Sequence, residues 1–372
     1  MSSSERIYFL DNLRAFVILL VVVLHSSMTY MAYAPSWWYV VDTNTSLFFT
    51  MLVLVIDVPV MLIMFFVAGY FALLSLAKKG PGKFLQDKFV RVGTPWLVGV
   101  LLLAPPTAYM IYFSRRVPVG LVEFCRRDFW GEMYQQSVYW FLGILFLFFV
   151  ILSLIYALSG RLRSLRPTVS LPSWKPFLIF GALMTAGFLL MNQFFPLDAW
   201  SRAGYLFVYQ PLRAPLYLGY FVLGLYAYQQ GWFTANGYRP RLMPWASLCV
   251  GSGLLYLGYR LTIPTPAQTA LMLKAGNAIL FNTFCLSALI TGAALFQRKV
   301  NGPGFFWQTQ AANSYGIYYV HPLILYPLAY VFVGLSLPIF LKAPLLIILA
   351  ILLSWAVSAL ILKKAPVLRR VF

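Results

Sequence analysis

The stretch Arg14-Ala15-Phe16-Val17-Ile18-Leu19-Leu20-Val21-Val22-Val23-Leu24-His25-Ser26-Ser27-Met28-Thr29-Tyr30-Met31 is an apolar run with a cation at its head and one imidazole deep inside it. Its length is close to the roughly 20 residues that a helix needs to cross bilayer hydrocarbon. Similar runs recur along a chain in which 61% of the 372 residues are hydrophobic and 10% are charged. A soluble protein must still cover itself with polar groups and cannot absorb such a surplus. The chain therefore reads as an all-α integral membrane protein, with about ten transmembrane helices in one bundle. No long polar linker divides it, so residues 1–372 read as a single membrane domain without a separate soluble one.

Working outward, the expected spans are 14–31, a second ending at Tyr70, then 93–113, 139–158, 176–195, the short 216–229, 245–261, 276–296, 314–334 and 344–362. Leu47–Asp57 is apolar too. It reads as an interfacial or re-entrant piece ahead of the second span, because Asp57 and Pro59 interrupt it. The first run lacks a small-residue cleavage site, so an uncleaved first helix is expected rather than a signal peptide.

The net charge of +19 does not point to nucleic acid. The basic residues sit in short clusters between apolar spans, as the positive-inside rule requires. One side collects 19 of the 28 Lys and Arg, among them Arg6, Arg14, Lys78, Lys79, Arg161, Arg163 and Arg166. Both termini are therefore expected in the cytoplasm. The opposite loop, 114–138, sets four Arg against Glu123, Asp128 and Glu132. It reads either as a solvated amphipathic helix with internal ion pairs or as a surface favouring anions. The three Cys form no CxxC motif, and no metal site is expected. Trp37, Trp38, Trp140, Trp200 and Trp232 fall near span ends, where aromatic belts form. Sugar stacking on Trp37 or Trp200 is the alternative.

Ionisable groups inside a membrane are costly, which makes them functional candidates. His25 is the sharpest, since an imidazole can take a proton near neutral pH. The alternative is a structural His bonded across helices. Arg14 precedes it by eleven residues, about three turns or roughly 16 Å, on nearly the same face. Asp11 either pairs with Arg14 or favours the helix start. Asp57 either orients His25 across antiparallel helices or is a plain interfacial residue. His321 is a second candidate, placed about two turns into its span and followed by Pro322.

The opening Arg6 to Ala15, followed by His25, resembles that of the acyltransferase type 3 family, whose mark is Arg or Lys, ten residues, then His. Phe65 to Tyr70 is similar to its second-helix FF-x-x-S-G-[FY] pattern. Lys83 to Trp96 resembles its basic stretch leading to a proline. Tyr139-Trp140-Phe141-Leu142 and Ser314-Tyr315-Gly316-Ile317-Tyr318 with His321-Pro322 resemble its later motifs. Ile63 and Ala68 depart from the Asp and Ser that many members carry. The resemblance runs in order from residue 6 to 322, and is nearest to the subgroup that succinylates periplasmic glucans.

The resemblance implies transfer of an acyl group, such as acetyl or succinyl, from cytoplasmic acyl-coenzyme A to a hydroxyl of a periplasmic glycan. The setting is the bacterial inner membrane, with lipids and a carbohydrate acceptor as partners and no nucleic acid. Lys88, Arg91 and Arg14 would bind the phosphates of the donor, Arg being suited to bidentate contact. The alternative for Lys88 and Arg91 is ordinary topological anchoring. His25 would act as base or as acyl carrier with Arg14 as its catalytic companion, and Asp57, His321 and Tyr70 would line the substrate path. The chain ends eleven residues beyond Ile361, so the acceptor is expected to meet the membrane domain itself. The competing function is a transporter or flippase of a lipid-linked or small solute. Against it, the two halves show no matching pair of broken helices.

Overall fold

The opening apolar run forms most of helix α1, Tyr8–Met28. In a computed structural model of the chain, residues 7–160, 168–234, 236–263, 268–366 and 368–372 are described. The basic residues Arg6, Arg161, Arg163 and Arg166 lie outside the described residues. After α1 come α2 (Leu47–Asp57), α3 (Val60–Lys79), α4 (Pro81–Ser114), α5 (Ser137–Leu158) and α6 (Trp174–Met191). Then follow α7 (Ala214–Gln229), α8 (Leu242–Thr262), α9 (Leu271–Lys299), α10 (Phe305–Val333) and α11 (Ile339–Leu362). A small antiparallel hairpin, Ser201–Ala203 with Phe207–Tyr209, precedes α7.

Among the described residues, eight helices are long and apolar enough to cross a membrane, with α2 and α3 counted as one. The two expected spans outside that set are α7, which has 16 residues, and α8, which has 21 but is less apolar. Leu47–Asp57 is no separate re-entrant piece. It continues into α3 as a helix of 33 residues, Leu47–Lys79. Pro59 sits at the head of α3 with helical φ and ψ, a place where its missing N–H costs little.

Outward faces carry Leu178, Ile179 and Leu183 on α6, Leu254 and Leu255 on α8, and Ile348 and Leu352 on α11, all exposed. Such an apolar exterior is what lipid solvates, since a helix pairs most of its backbone polar groups within itself. Inside, helices approach through small residues. A Cβ on Gly69 of α3 would strike the Phe221 carbonyl of α7, and one on Gly224 would strike that of Phe66. This close seam is how membrane helices gain van der Waals contact where no hydrophobic drive separates protein from solvent.

Helix α1 packs on α2, α3, α9, α10 and α11. It thus holds a central position, with Arg14 toward its first turns and His25 in its last turn. Lys78 and Lys79 mark the basic end of the bundle at the close of α3. The loop 29–46 leaves α1 at the opposite end.

Candidate active site

The site begins with a proline. Pro322 has no N–H, so the Tyr318 carbonyl one turn earlier in α10 loses its helical donor. The His321 ring fills the place: its Nδ1 lies 2.8 Å from the Tyr318 oxygen and 3.3 Å from the Ile317 oxygen. Both partners are acceptors, so Nδ1 carries the proton. In the neutral ring Nε2 must then accept. It faces His25 Nδ1 at 2.9 Å, which donates. The basic lone pair of His25 is thereby left on Nε2, the nitrogen turned away from the pair. His321 is fully buried, whereas His25 keeps part of its surface accessible. Trp38 closes over it, with ring centroids 5.6 Å apart.

The motif tyrosines Tyr315 and Tyr318 of α10, with Tyr319 beside them, lock this helix to its neighbours. Pro95 deprives the Arg91 carbonyl of its α-helical donor, and the Tyr315 hydroxyl donates to that oxygen at 2.6 Å. The Tyr319 hydroxyl donates to the Pro95 carbonyl at 3.1 Å, and that of Tyr318 to Val138. Gly316 is small because Ser358 of α11 presses against it.

At the basic end, Arg14 pairs with Asp11 at 3.4 Å, as one of the two readings of Asp11 had it. The Lys88 ammonium lies 4.5 Å from the centroid of the Phe149 ring, in the electric field of Lys79, Arg91 and Arg14. Arg91 is exposed and stands in a π-helical turn, Phe89–Gly93, of α4. Such turns often mark functional sites. The three expected donor-binding cations thus share one region. Next to it, Asn12 ties the start of α1 to the Val300 carbonyl at 2.7 Å. Val300, Arg298, Lys299, Gly302 and Trp307 line a cavity of about 400 Å³ there.

Other expected residues lie elsewhere. Asp57 does not reach His25; its carboxylate is taken by Arg213, which is buried, and Asp198 bridges Arg213 and Arg260. A buried guanidinium needs a carboxylate more than a neutral imidazole does. Tyr70 is buried between Phe233 and Tyr228 and meets neither His. His321 lies past the midpoint of α10, because the helix begins at Phe305 rather than at 314. In the loop 114–138, Arg127 pairs with Glu123 at 2.7 Å and with Asp128 at 2.8 Å, which favours the internal ion-pair reading. Another pair that went unforeseen is Lys342 with Asp42, both buried, which meet at 2.7 Å. Lone charges near span ends gave no signal of it.

An apolar-skinned helical bundle with ionisable groups at its centre defines a multi-pass membrane protein. Residues 7–362 match the family model described as "Acyltransferase domain", and the chain belongs to that family, acyltransferase type 3. Among curated proteins, the chain is similar to "Glucans biosynthesis protein C" of Shigella boydii serotype 4 (strain Sb227), at 30% identity over 112 residues. The proteins of that name from Escherichia coli (strain K12) and Shigella dysenteriae serotype 1 (strain Sd197) match at the same identity. The alignment covers 30% of this chain and 28% of each relative, so the likeness spans under a third of their length. No solved structure matches the chain.

Proposed function

We propose that the protein moves an acyl group, acetyl, succinyl or similar, from cytoplasmic acyl-coenzyme A to a hydroxyl of a glycan beyond the membrane. It would do so as one domain of ten crossings in the bacterial inner membrane, with both termini in the cytoplasm. The observation that carries this reading is the His25–His321 bond, which leaves the basic lone pair of a partly buried His25 on Nε2. Arg14, Lys88 and Arg91 supply positive charge for the donor phosphates at the basic end, and the cavity at Arg298 and Trp307 has room for a nucleotide. Relatives named for glucan biosynthesis support a carbohydrate acceptor.

In the transfer, His25 Nε2 takes the proton of the acceptor hydroxyl as its oxygen attacks the thioester carbon. The new C–O bond forms, the C–S bond breaks, and the leaving thiolate takes the proton back from His25. Alternatively Nε2 attacks the thioester carbon, the C–N bond forming as the C–S bond breaks, and the acceptor oxygen then attacks the acyl carbon as the C–N bond breaks and its proton passes to the departed thiolate. Purified protein in lipid nanodiscs, given acyl-coenzyme A and gluco-oligosaccharides, should release free thiol and yield a saccharide ester. His25→Ala should lower both by about 10²–10⁴-fold. Equal rates in the two proteins would overturn the reading.

A further inference from the structure

At the end of the bundle away from Lys78, Lys79 and Lys88, aromatic rings run in contact from the surface to His25. Trp37 is 42% exposed and Trp200 36% exposed, and their rings meet edge to face at 6.4 Å. Trp37 touches Trp38 at 5.9 Å, and Trp38 touches His25 at 5.6 Å. An interfacial belt explains isolated Trp at helix ends facing lipid. It does not explain two exposed indoles on separate loops that join each other and continue inward.

These rings are held in place. Arg115 donates to the carbonyls of Ser36 at 2.8 Å and Trp38 at 3.0 Å, and Ser114 donates to that of Tyr39 at 2.8 Å. The Tyr39 ring stacks on Tyr326 of α10, four residues beyond Pro322, at 4.0 Å. The loop is thus fastened to the same helix that bears His321. The indole N–H of Trp38 is buried and has no hydrogen-bond partner among the described residues. A buried donor without an acceptor is costly, and a ligand hydroxyl would satisfy it.

We infer that Trp37 and Trp200 form the entry subsite for a saccharide, which stacks an apolar ring face on the indoles while a hydroxyl accepts from the Trp38 N–H beside His25. The inference rests on the proposed transfer reaction for its acceptor, but the binding site itself does not depend on catalysis. Pyranose rings carry C–H groups on one face and hydroxyls at the rim, which matches flat apolar rings followed by a lone donor.

The test uses His25→Ala protein in lipid nanodiscs, since many detergents carry sugar headgroups. A set of water-soluble gluco-oligosaccharides is titrated by calorimetry. Binding should weaken roughly tenfold or more in Trp37→Ala and in Trp200→Ala. It should survive in Trp37→Tyr, which keeps an aromatic face and guards against simple misfolding. It should also survive in Trp174→Ala, a control at an exposed Trp on α6. In the protein with His25 intact, Trp37→Ala should raise the acceptor KM far more than it lowers kcat. Absence of saccharide binding, or binding indifferent to both Trp37 and Trp200, overturns the subsite. Binding that needs both Trp, with no acyl transfer by the protein that keeps His25, upholds the subsite and overturns the transfer reaction.

Discussion

Pro322 lacks one N–H, and the protonation of two rings follows from it. The freed Tyr318 carbonyl sets His321 Nδ1 as donor, which makes Nε2 the acceptor for His25. His321 is thereby a positioning residue in the proposed reaction. His321→Ala should cost activity on the scale of losing the base itself, about 10²–10⁴-fold. His321→Gln, whose amide oxygen can accept from His25 Nδ1, should recover part of it, and the kcat of the three proteins checks this. Equal loss in both variants would mean that His321 only fills space. Each His was legible alone, one within the x10 spacing after Arg14 and the other before Pro322. Their contact was not, since 296 residues separate them and nothing in a local pattern announces it. Lys342 and Asp42 were hidden for the same reason. Lys342→Ala leaves a buried carboxylate unpaired and should destabilise the fold by about 3–5 kcal/mol. The double variant Lys342→Met with Asp42→Asn should recover much of that, as read by thermal unfolding in nanodiscs.

Among elements, α4 and the α3–α7 seam show what periodicity reports and what it omits. Apolar length located nearly every helix, because the bilayer demands it. It misplaced the ends: α4 begins at Pro81 and α10 at Phe305, since polar residues extend a helix past the hydrocarbon without breaking its hydrogen bonds. The joining of α2 to α3 was missed because Asp57 resembles an interruption until Arg213 is seen to take its charge. Gly224 has its reason only in the backbone of Phe66, so Gly224→Leu should part α3 from α7 and sharply lower the yield of monodisperse protein. At the basic end, Arg91→Ala and Lys88→Ala should raise the donor KM. A charge-assisted contact is worth about 1.5–3 kcal/mol, and added salt should shrink the difference. A donor KM that ignores both substitutions would leave these cations as topological anchors.

For the whole molecule, the proposed orientation puts the basic end in the cytoplasm and loop 114–138 outside. A membrane-impermeant thiol reagent should label Cys125, which is partly exposed, in intact cells. Partial burial pushes this thiol above its ordinary range. The reactive thiolate is therefore scarcer at neutral pH, and labelling should quicken as pH rises. Labelling only after permeabilisation would invert the orientation. The central claim is that acyl groups enter at the lysines and leave on a sugar at the tryptophans by way of His25. It is tested most directly in sealed liposomes whose proteins all face one way, with labelled acyl-coenzyme A on the basic side and gluco-oligosaccharide on the other. Wild-type protein should place the label on saccharide across the membrane, and His25→Ala should place none. Labelled ester at rates within about threefold in the His25→Ala protein, or solute flux without any ester, would contradict it.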